Sequence, residues 1–485
     1  MNVHDDSLSF QKLTACLKGN QDLYFRQEGI VGIALVDGIA NKQHFADYVL
    51  HPLGKCSGFT EGDAEKLHRQ ITEGSLWYPA FCETQSFSEL VTKLLRNGAA
   101  LIVGNMAYVF DMKAFDRRAV SEPTGESLVK GAKDSFVENI STNTAILRQR
   151  IGSPDLRIES LQLGRRTSTT VCVIYLQGVV DPAHVKEVKT RLGKIDIAAL
   201  LTTSPVEEAL TFSPRTLFPQ VLYTERPDVA CARLCEGRVA VMINGLPTVL
   251  IVPVTLPTFL HSKEDMANNY IFNSCVRILR HFLVFVVLYA PSMYVALTTF
   301  HVEMMPTSFV AAIAASKSGV PLTIFLEALL LLLAFETLIE AGLRLPKTVG
   351  QLVSIVGALV VGEAAVTAKL LSPGVVIIVS LSVISNFTVP NQDFANALRL
   401  WRLILTVCAG LFGVLGVFSA SLLLLTDLCS ITPYGIPYCA PYAGASPVQL
   451  ENSLLRARYS RVNYRPRFLT PLDIKQSPIP PDEEE

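Results

Sequence analysis

Apolar residues are distributed unevenly along this chain. The first half alternates short apolar runs with polar stretches, whereas the second half contains long apolar segments. A segment of about 18 or more apolar residues can cross a hydrocarbon core of about 30 Å. The segments predicted to be membrane helices are Phe282–Thr299, Leu322–Ala341, Val349–Leu371, Gly374–Val389 and Leu403–Thr426. The pattern predicts an all-α multi-pass membrane domain of four or five helices.

The soluble half contains a repeated pattern. An apolar strand at Ile30–Val36 ends in a glycine turn and leads into a helix, and Val171–Leu176 is followed in the same way. Two β-rich runs surround Gly104-Asn105, and two more surround Asn244-Gly245, where Asn-Gly is a strong hairpin signal because both residues tolerate positive φ. The repetition predicts an α/β half made of two similar tandem modules.

These patterns divide the chain into six parts. A charged connector joins the modules, either as a rigid spacer or as an interaction helix, and a solvated connecting helix is favoured. The predicted parts are module 1 (residues 1–116), the connector (117–153), module 2 (154–265), an amphipathic juxtamembrane helix (266–281), the transmembrane domain (282–426), and an interfacial Pro/Tyr loop with a basic tail (427–485).

The positive residues near the membrane segments predict the orientation. The amino terminus lacks the apolar core of a secretory signal, and Arg277, Arg280 and His281 precede the first segment. Positive residues favour the cytoplasmic side, so the amino-terminal half is predicted to be cytoplasmic. The arginine-rich tail predicts the same side for the carboxy terminus. Five crossings would separate the two ends, so either one segment does not cross or the charge rule fails for the tail.

Acidic residues interrupt the apolar segments. Glu327, Glu336 and Glu340 lie in the second segment and Glu363 near the middle of the third. Each charged residue costs about 2.5 to 3.5 kcal/mol at a helix centre unless it faces water or protein. We therefore predict that these carboxylates line a pore or an interface. An i, i+4 ion pair between Glu340 and Arg344 is the alternative for the end of that helix.

Small residues recur at helical spacing in the same region. This spacing predicts faces for close helix contact, either between copies or within one chain. The predicted packing residues are Ser354, Ala358 and Gly362 in one segment, and Ala409, Gly413, Gly416 and Ala420 in another.

Composition and motifs exclude several functions. A net charge of -1 gives no general attraction to nucleic acid. Ten cysteines are scattered without CxxC units. Cys231 and Cys235 lie one helical turn apart, and the favoured interpretation is small core residues rather than a metal site. No phosphate-binding loop, HExxH or GxSxG motif occurs. We predict no enzyme activity, no cofactor and no metal.

Several motifs, in order, resemble the A subunits of GerA-type spore germinant receptors. They include SPRTLFPQVLYTERPDV (Ser213 to Val229), EGRVAVMINGLPTVLIVP (Glu236 to Pro253), EALLLLLAFETLIEAGLRLP (Glu327 to Pro346) and VGQLVSIVGALVVGEAAV (Val349 to Val366). Two features depart from the family pattern: relatives often have Gln at Glu363, and the extension before Phe25 is short, as in paralogues that act with the dipicolinic acid channel.

The resemblance implies a function and partners. It implies a homo-oligomer in the spore inner membrane that works with a transporter-like B subunit, which senses the nutrient, and a lipoprotein C subunit. The expected activity is a nutrient-gated cation channel that triggers germination. The alternatives are a non-conducting membrane scaffold for receptor partners and a paralogue acting with the dipicolinic acid channel; a membrane enzyme is the weakest reading.

Overall fold

The computed structural model describes residues 8–78, 81–112, 133–262, 264–344, 363–443, 450, 453–456 and 464–475. It divides into two compact units. Unit 1 contains Met1–Phe212, Gln220–Val254 and Tyr459–Glu485, and unit 2 contains Ser213–Pro219 and Thr255–Arg458. Most of the third predicted membrane segment, including Ser354, Ala358 and Gly362, lies outside the described residues, as does part of the predicted connector.

Unit 1 contains two five-stranded antiparallel sheets with the same strand order. The first has the order β1-β2-β4-β5-β3 and the second β6-β7-β9-β10-β8. The strands are β1 Leu23–Glu28, β2 Val31–Val36, β3 Phe81–Thr84, β4 Gly98–Val103, β5 Met106–Asp111, β6 Leu156–Leu163, β7 Thr169–Leu176, β8 Leu222–Thr224, β9 Val239–Ile243 and β10 Val249–Val252. The structure confirms the predicted order, in which a half with both helices and strands precedes a helical half. The two modules share one strand order.

Helices cover both faces of the first sheet. Successive residues of a strand point to opposite faces, so Leu101 packs in one apolar core while Ala100 and Ile102 pack in the other. The helices of unit 1 are α1 Phe10–Cys16, α2 Lys42–Phe45, α3 His51–Leu53, α4 Ser57–Glu61, α5 Ala64–Thr72, α6 Phe87–Asn97, α7 Ile140–Arg150, α8 Pro182–Leu192, α9 Ser204–Leu210 and α10 Pro227–Cys235, with a π-helical turn at Ala46–Leu50.

The two predicted hairpins differ in the structure. Val103 pairs with Met106, so Gly104-Asn105 forms a two-residue turn. In the second sheet Val249 pairs with Met242, which leaves Asn244-Gly245 inside a longer loop. Asn244-Gly245 still form a turn, closed by a hydrogen bond from the N–H of Leu246 to the carbonyl oxygen of Ile243 at 3.2 Å. Since β9 and β10 pair antiparallel, the predicted hairpin is confirmed, with a longer loop.

The connector helix α7 is buried, which corrects the prediction of a solvated helix. Arg148 is fully buried and donates to both carboxylate oxygens of Asp22 at 3.0 Å and to the carbonyl oxygen of Leu156 at 2.9 Å. The Asn143 side chain bonds both backbone groups of Val137. These hydrogen bonds offset the cost of burying the polar residues.

A carboxy-terminal segment, residues 464–475, packs within unit 1. Arg465 donates a hydrogen bond to the carbonyl oxygen of Cys235 at 2.8 Å. The N–H of Leu472 donates to the carbonyl oxygen of Val179 at 3.0 Å. Leu469 is fully buried. The tail therefore forms part of the surface of module 2.

Unit 2 is helical. Its helices are α11 Leu256–Leu260, α12 Glu264–Ala267, α13 Tyr270–Thr299, α14 Thr307–Lys317, α15 Ile324–Arg344, α16 Pro373–Asn386 and α17 Gln392–Ser430. Within the described residues, α13 and α17 are long and apolar enough to cross a membrane, and α16 is a shorter apolar helix. The helix α14 was not predicted.

Helix α17 reverses direction at Gly413. Gly413 has φ 62° and ψ -141° between a first arm (residues 392–412) and a second arm (residues 414–430). The Phe218 and Phe394 ring centroids lie 5.7 Å apart, while Thr216 donates to Asp427 at 2.8 Å. A straight helix would separate positions 394 and 427 by about 50 Å, whereas positions 216 and 218 are at most about 7 Å apart. The predicted single crossing at Leu403–Thr426 is therefore a helical hairpin.

Candidate functional site

Glu327 lies near the start of α15 and is fully buried. Its Oε2 accepts hydrogen bonds from the N–H and the hydroxyl of Ser372, each at 2.6 Å. Oε1 accepts none in the part of the chain that the structure describes. Ser372 immediately precedes α16, so the Glu327 carboxylate ties the beginnings of α15 and α16 together.

Glu336 forms an ion cluster with two arginines of α17. One carboxylate oxygen lies 2.7 Å from Nη2 of Arg399, and the other lies 3.0 Å from Nη2 of Arg402. Arg402 is buried and also donates to the hydroxyl of Ser382 at 3.3 Å, which donates to the carbonyl oxygen of Val287 at 3.0 Å. This network joins α15, α17, α16 and α13. Sequence reasoning did not find these partners, because they lie far from Glu336 along the chain.

Glu340 and Glu363, the other two predicted pore or interface residues, are exposed in the single chain. The backbone carbonyl of Glu363 accepts from the Thr367 hydroxyl. The structure therefore places Glu327 and Glu336 in networks between helices and leaves Glu340 and Glu363 exposed to the surroundings.

The second small-residue stripe lies at the reversal. Ala409, Gly413, Gly416 and Ala420 are all buried. A Cβ on Gly416 would overlap the carbonyl oxygen of Cys408, so glycine permits the two arms of α17 to pack closely.

A buried ion cluster stabilises the start of α13. Asp265 accepts from Arg277 at 3.2 Å and from Arg280 at 2.9 Å. Burial alone would raise the pKa of the Asp265 carboxyl, but the hydrogen bonds and charges of the two arginines outweigh burial and hold this pKa below its usual value. The two arginines expected to flank the membrane therefore pair inside the unit.

The segment Ser213–Pro219 contacts both ends of α17 and the loop after it. Besides the contacts of Thr216 and Phe218, the carbonyl oxygen of Pro219 accepts from the Tyr438 hydroxyl at 2.9 Å. The Phe259 ring stacks on Phe394 at 6.0 Å between centroids and lies 6.3 Å from Tyr438. A short piece of the soluble half of the sequence thus belongs to the helical unit.

The acidic residues Asp37 and Asp181 of unit 1 each have a local partner. Asp37 pairs with Lys42 at 2.6 Å, and Asp181 accepts from the N–H of Ala183 as the N-cap of α8. Burial raises the pKa of the Cys231 thiol to about 12, which keeps it protonated. Among the described residues, no group of three His, Cys, Asp or Glu side chains is placed to hold a metal ion.

The geometry defines a class of protein with two repeated soluble modules and a helical unit containing membrane-length helices. The chain matches the family model described as Bacillus/Clostridium GerA spore germination protein over residues 11–468. Relatives of high similarity agree with this match, so the chain belongs to the GerA spore germination protein family.

The relatives align over most of their length. The chain is 34% identical to "Uncharacterized membrane protein YfkQ" of Bacillus subtilis (strain 168), with 94% of this chain and 90% of the relative covered. It is also 34% identical to "Spore germination protein KA" of that organism, over 91% of this chain and 81% of the relative. "Spore germination protein B1", again 34% identical, aligns over 90% of both chains.

One solved structure is similar to about half of this chain. It is the crystal structure of the N-terminal domain of the A subunit of the Bacillus megaterium spore germinant receptor GerK3, 28% identical with a TM-score of 0.38. The match covers 51% of this chain and 95% of that one.

Proposed function

We propose that this chain is the A subunit of a spore germinant receptor, which oligomerises in the spore inner membrane and forms a nutrient-gated cation channel. The family match over residues 11–468 carries the assignment to germination. Its proposed partners are a transporter-like B subunit and a lipoprotein C subunit.

The proposed orientation places both the soluble half and the tail on the cytoplasmic side, which is the spore core side. Residues 464–475 pack on module 2 within unit 1, and a polypeptide cannot contact this module across a bilayer. An even number of crossings follows. The hairpin at Gly413 supplies the additional crossing that the tail's charge requires, because its two arms run in opposite directions.

Glu340 and Glu363 support conduction because both carboxylates are exposed in a unit with many exposed apolar side chains. Lipid contact would be costly for a carboxylate, so we propose that these side chains face water or a neighbouring copy. Acidic side chains around a pore favour cations. Glu327 and Glu336 instead hold helices together, and opening would change the packing of those helices.

Charge reversal tests this proposal. We expect Glu340→Lys or Glu363→Lys to slow early potassium release from spores several-fold, because the reversed charge repels cations. Glu65→Lys on exposed α5 of the soluble half is the matched control. Potassium release at the normal rate in both variants, with normal protein levels, would remove these side chains from the pathway.

A non-conducting scaffold is the second candidate. The internal partners of Glu327 and Glu336 favour it, because these two carboxylates need no pore to be stable. Purified protein in planar bilayers, with and without the B subunit, separates the two functions. Cation conductance supports the channel, whereas its absence in both preparations supports the scaffold.

A further inference from the structure

The first half of α13 has apolar residues outside and polar residues inside. Ile271 and Phe272 are 59% and 63% exposed, whereas Arg277 and Arg280 are 3% and 8% exposed. In a helix that faces water, the apolar side chains pack inward and the charged ones are solvated. This part of α13 has the reverse arrangement, and the predicted amphipathic helix therefore presents its apolar face outward.

The buried polar residues have partners inside unit 2. The Asn273 amide donates to the carbonyl oxygen of Asp265 at 2.7 Å, and Arg280 donates to that of Leu260 at 2.6 Å. Arg277 and Arg280 also share the Asp265 carboxylate. Both guanidinium groups are therefore hydrogen-bonded within the protein and do not lie on its outer surface.

The exposed apolar face is continuous with the apolar segment that follows. It consists of Ile271, Phe272, Cys275, Ile278, Leu279, Phe282 and Phe285, at the spacing of one helix face. No charged residue interrupts this set, which we call the outer stripe. A partner for it must be apolar over the first four turns of the helix.

The length of α13 identifies that partner. The helix has 30 residues and is about 45 Å long. A bilayer with its headgroup regions is about 40 to 45 Å thick, whereas the hydrocarbon alone is about 30 Å. We propose that the outer stripe is a lipid-binding surface and that α13 enters the bilayer at Ile271 rather than at Phe282. The inference rests on the proposed membrane location of unit 2.

Cys275 is a natural probe because it is exposed on the outer stripe, and exposed Cys82 in module 1 is the matched control. The full chain is reconstituted in nanodiscs that hold one copy each, with Cys429→Ser in every variant. Cys82→Ser leaves Cys275 for a nitroxide label, and Cys275→Ser leaves Cys82. The variant lacking all three exposed thiols gives the background from partly exposed cysteines.

We expect collisions of the Cys275 label with a water-soluble nickel chelate to be at least fivefold rarer than those of the Cys82 label, while collisions with oxygen increase. Equal access of the chelate at both positions would overturn the inference. Protection that appears only when two copies share a nanodisc would also overturn it, because the stripe would then bind a second copy.

A third label separates this inference from the membrane location itself. Ile377→Cys places it on the exposed face of α16. If the chelate reaches position 275 but not position 377, the lipid-binding stripe is wrong and the membrane location stands. If it reaches both, the membrane location fails.

Discussion

Replacing Gly413 with alanine tests the reversal of α17. At φ 62° and ψ -141° this residue is close to a backbone region used almost solely by glycine, which costs about 1 to 3 kcal/mol for other residues. The added Cβ would also lie 2.9 Å from Cβ of Phe300 and 3.0 Å from Cε1 of His301. Overpacking of this kind costs typically about 1 to 3 kcal/mol. We expect Gly413→Ala to destabilise unit 2 by about 2 to 6 kcal/mol.

The control is Gly435→Ala. Gly435 also has a positive φ, 77°, but no atom lies within 4 Å of a Cβ placed there. Only the backbone cost of about 1 to 2 kcal/mol applies. Thermal unfolding in nanodiscs should rank wild type, Gly435→Ala and Gly413→Ala in decreasing stability. Equal stability of the two variants would contradict the steric argument.

A distance measurement tests the hairpin directly. Spin labels at Leu400 and Leu425, both exposed, lie on different arms of α17. A straight helix would separate the two positions by about 37 Å. Packed antiparallel helices have axes about 8 to 10 Å apart, so we expect roughly 10 to 25 Å between the labels. A pulsed electron resonance distance near the longer value would refute the reversal.

Three further predictions concern buried charges. Arg148→Met leaves the Asp22 carboxylate buried without its ion-pair partner, so the free energy of unfolding of the full chain should fall by about 3 to 5 kcal/mol. Adding Asp22→Asn should restore part of this stability. Wild-type stability of the single variant would contradict the prediction. Glu336→Gln leaves buried Arg402 without its counter-charge, and a similar loss is expected in nanodiscs; wild-type stability would mean that the cluster does not form. The folded-state pKa of the Asp265 carboxyl is lowered, so its contribution to folding stability is present above the unfolded pKa of about 3.9 and is lost as pH falls through the folded value. We expect Asp265→Asn to reduce the fall in melting temperature between pH 6 and pH 3. If the variant shows the same fall as the wild type, Asp265 is not responsible for it.

Local sequence patterns predicted where helices and strands lie, but they did not predict which side chains contact one another. The strand at Ile30–Val36 and the helix at Leu322–Ala341 occur within a few residues of their predicted bounds, because each depends on a short apolar pattern. Ser372 is separated from Glu327 by 45 residues and Arg402 from Glu336 by 66, and no local periodicity specifies such pairs.

Two sequence patterns have a second role in the structure. The glycines of the α17 stripe were interpreted as a packing face of one straight helix, but Gly413 also makes the turn because it adopts positive φ. The arginines before Phe282 were interpreted as markers of the cytoplasmic side, and in the structure Asp265 also binds them inside the unit. In both cases the residue type fits two environments, and tertiary packing decides between them.

The position of residues 464–475 has a consequence for biosynthesis. Leu469 and Leu472 complete the surface of module 2, yet they are translated after every apolar segment. The ribosome therefore synthesises the whole helical unit before module 2 receives its last piece. A nascent chain that stops short of Leu469 would leave module 2 without this piece of its surface.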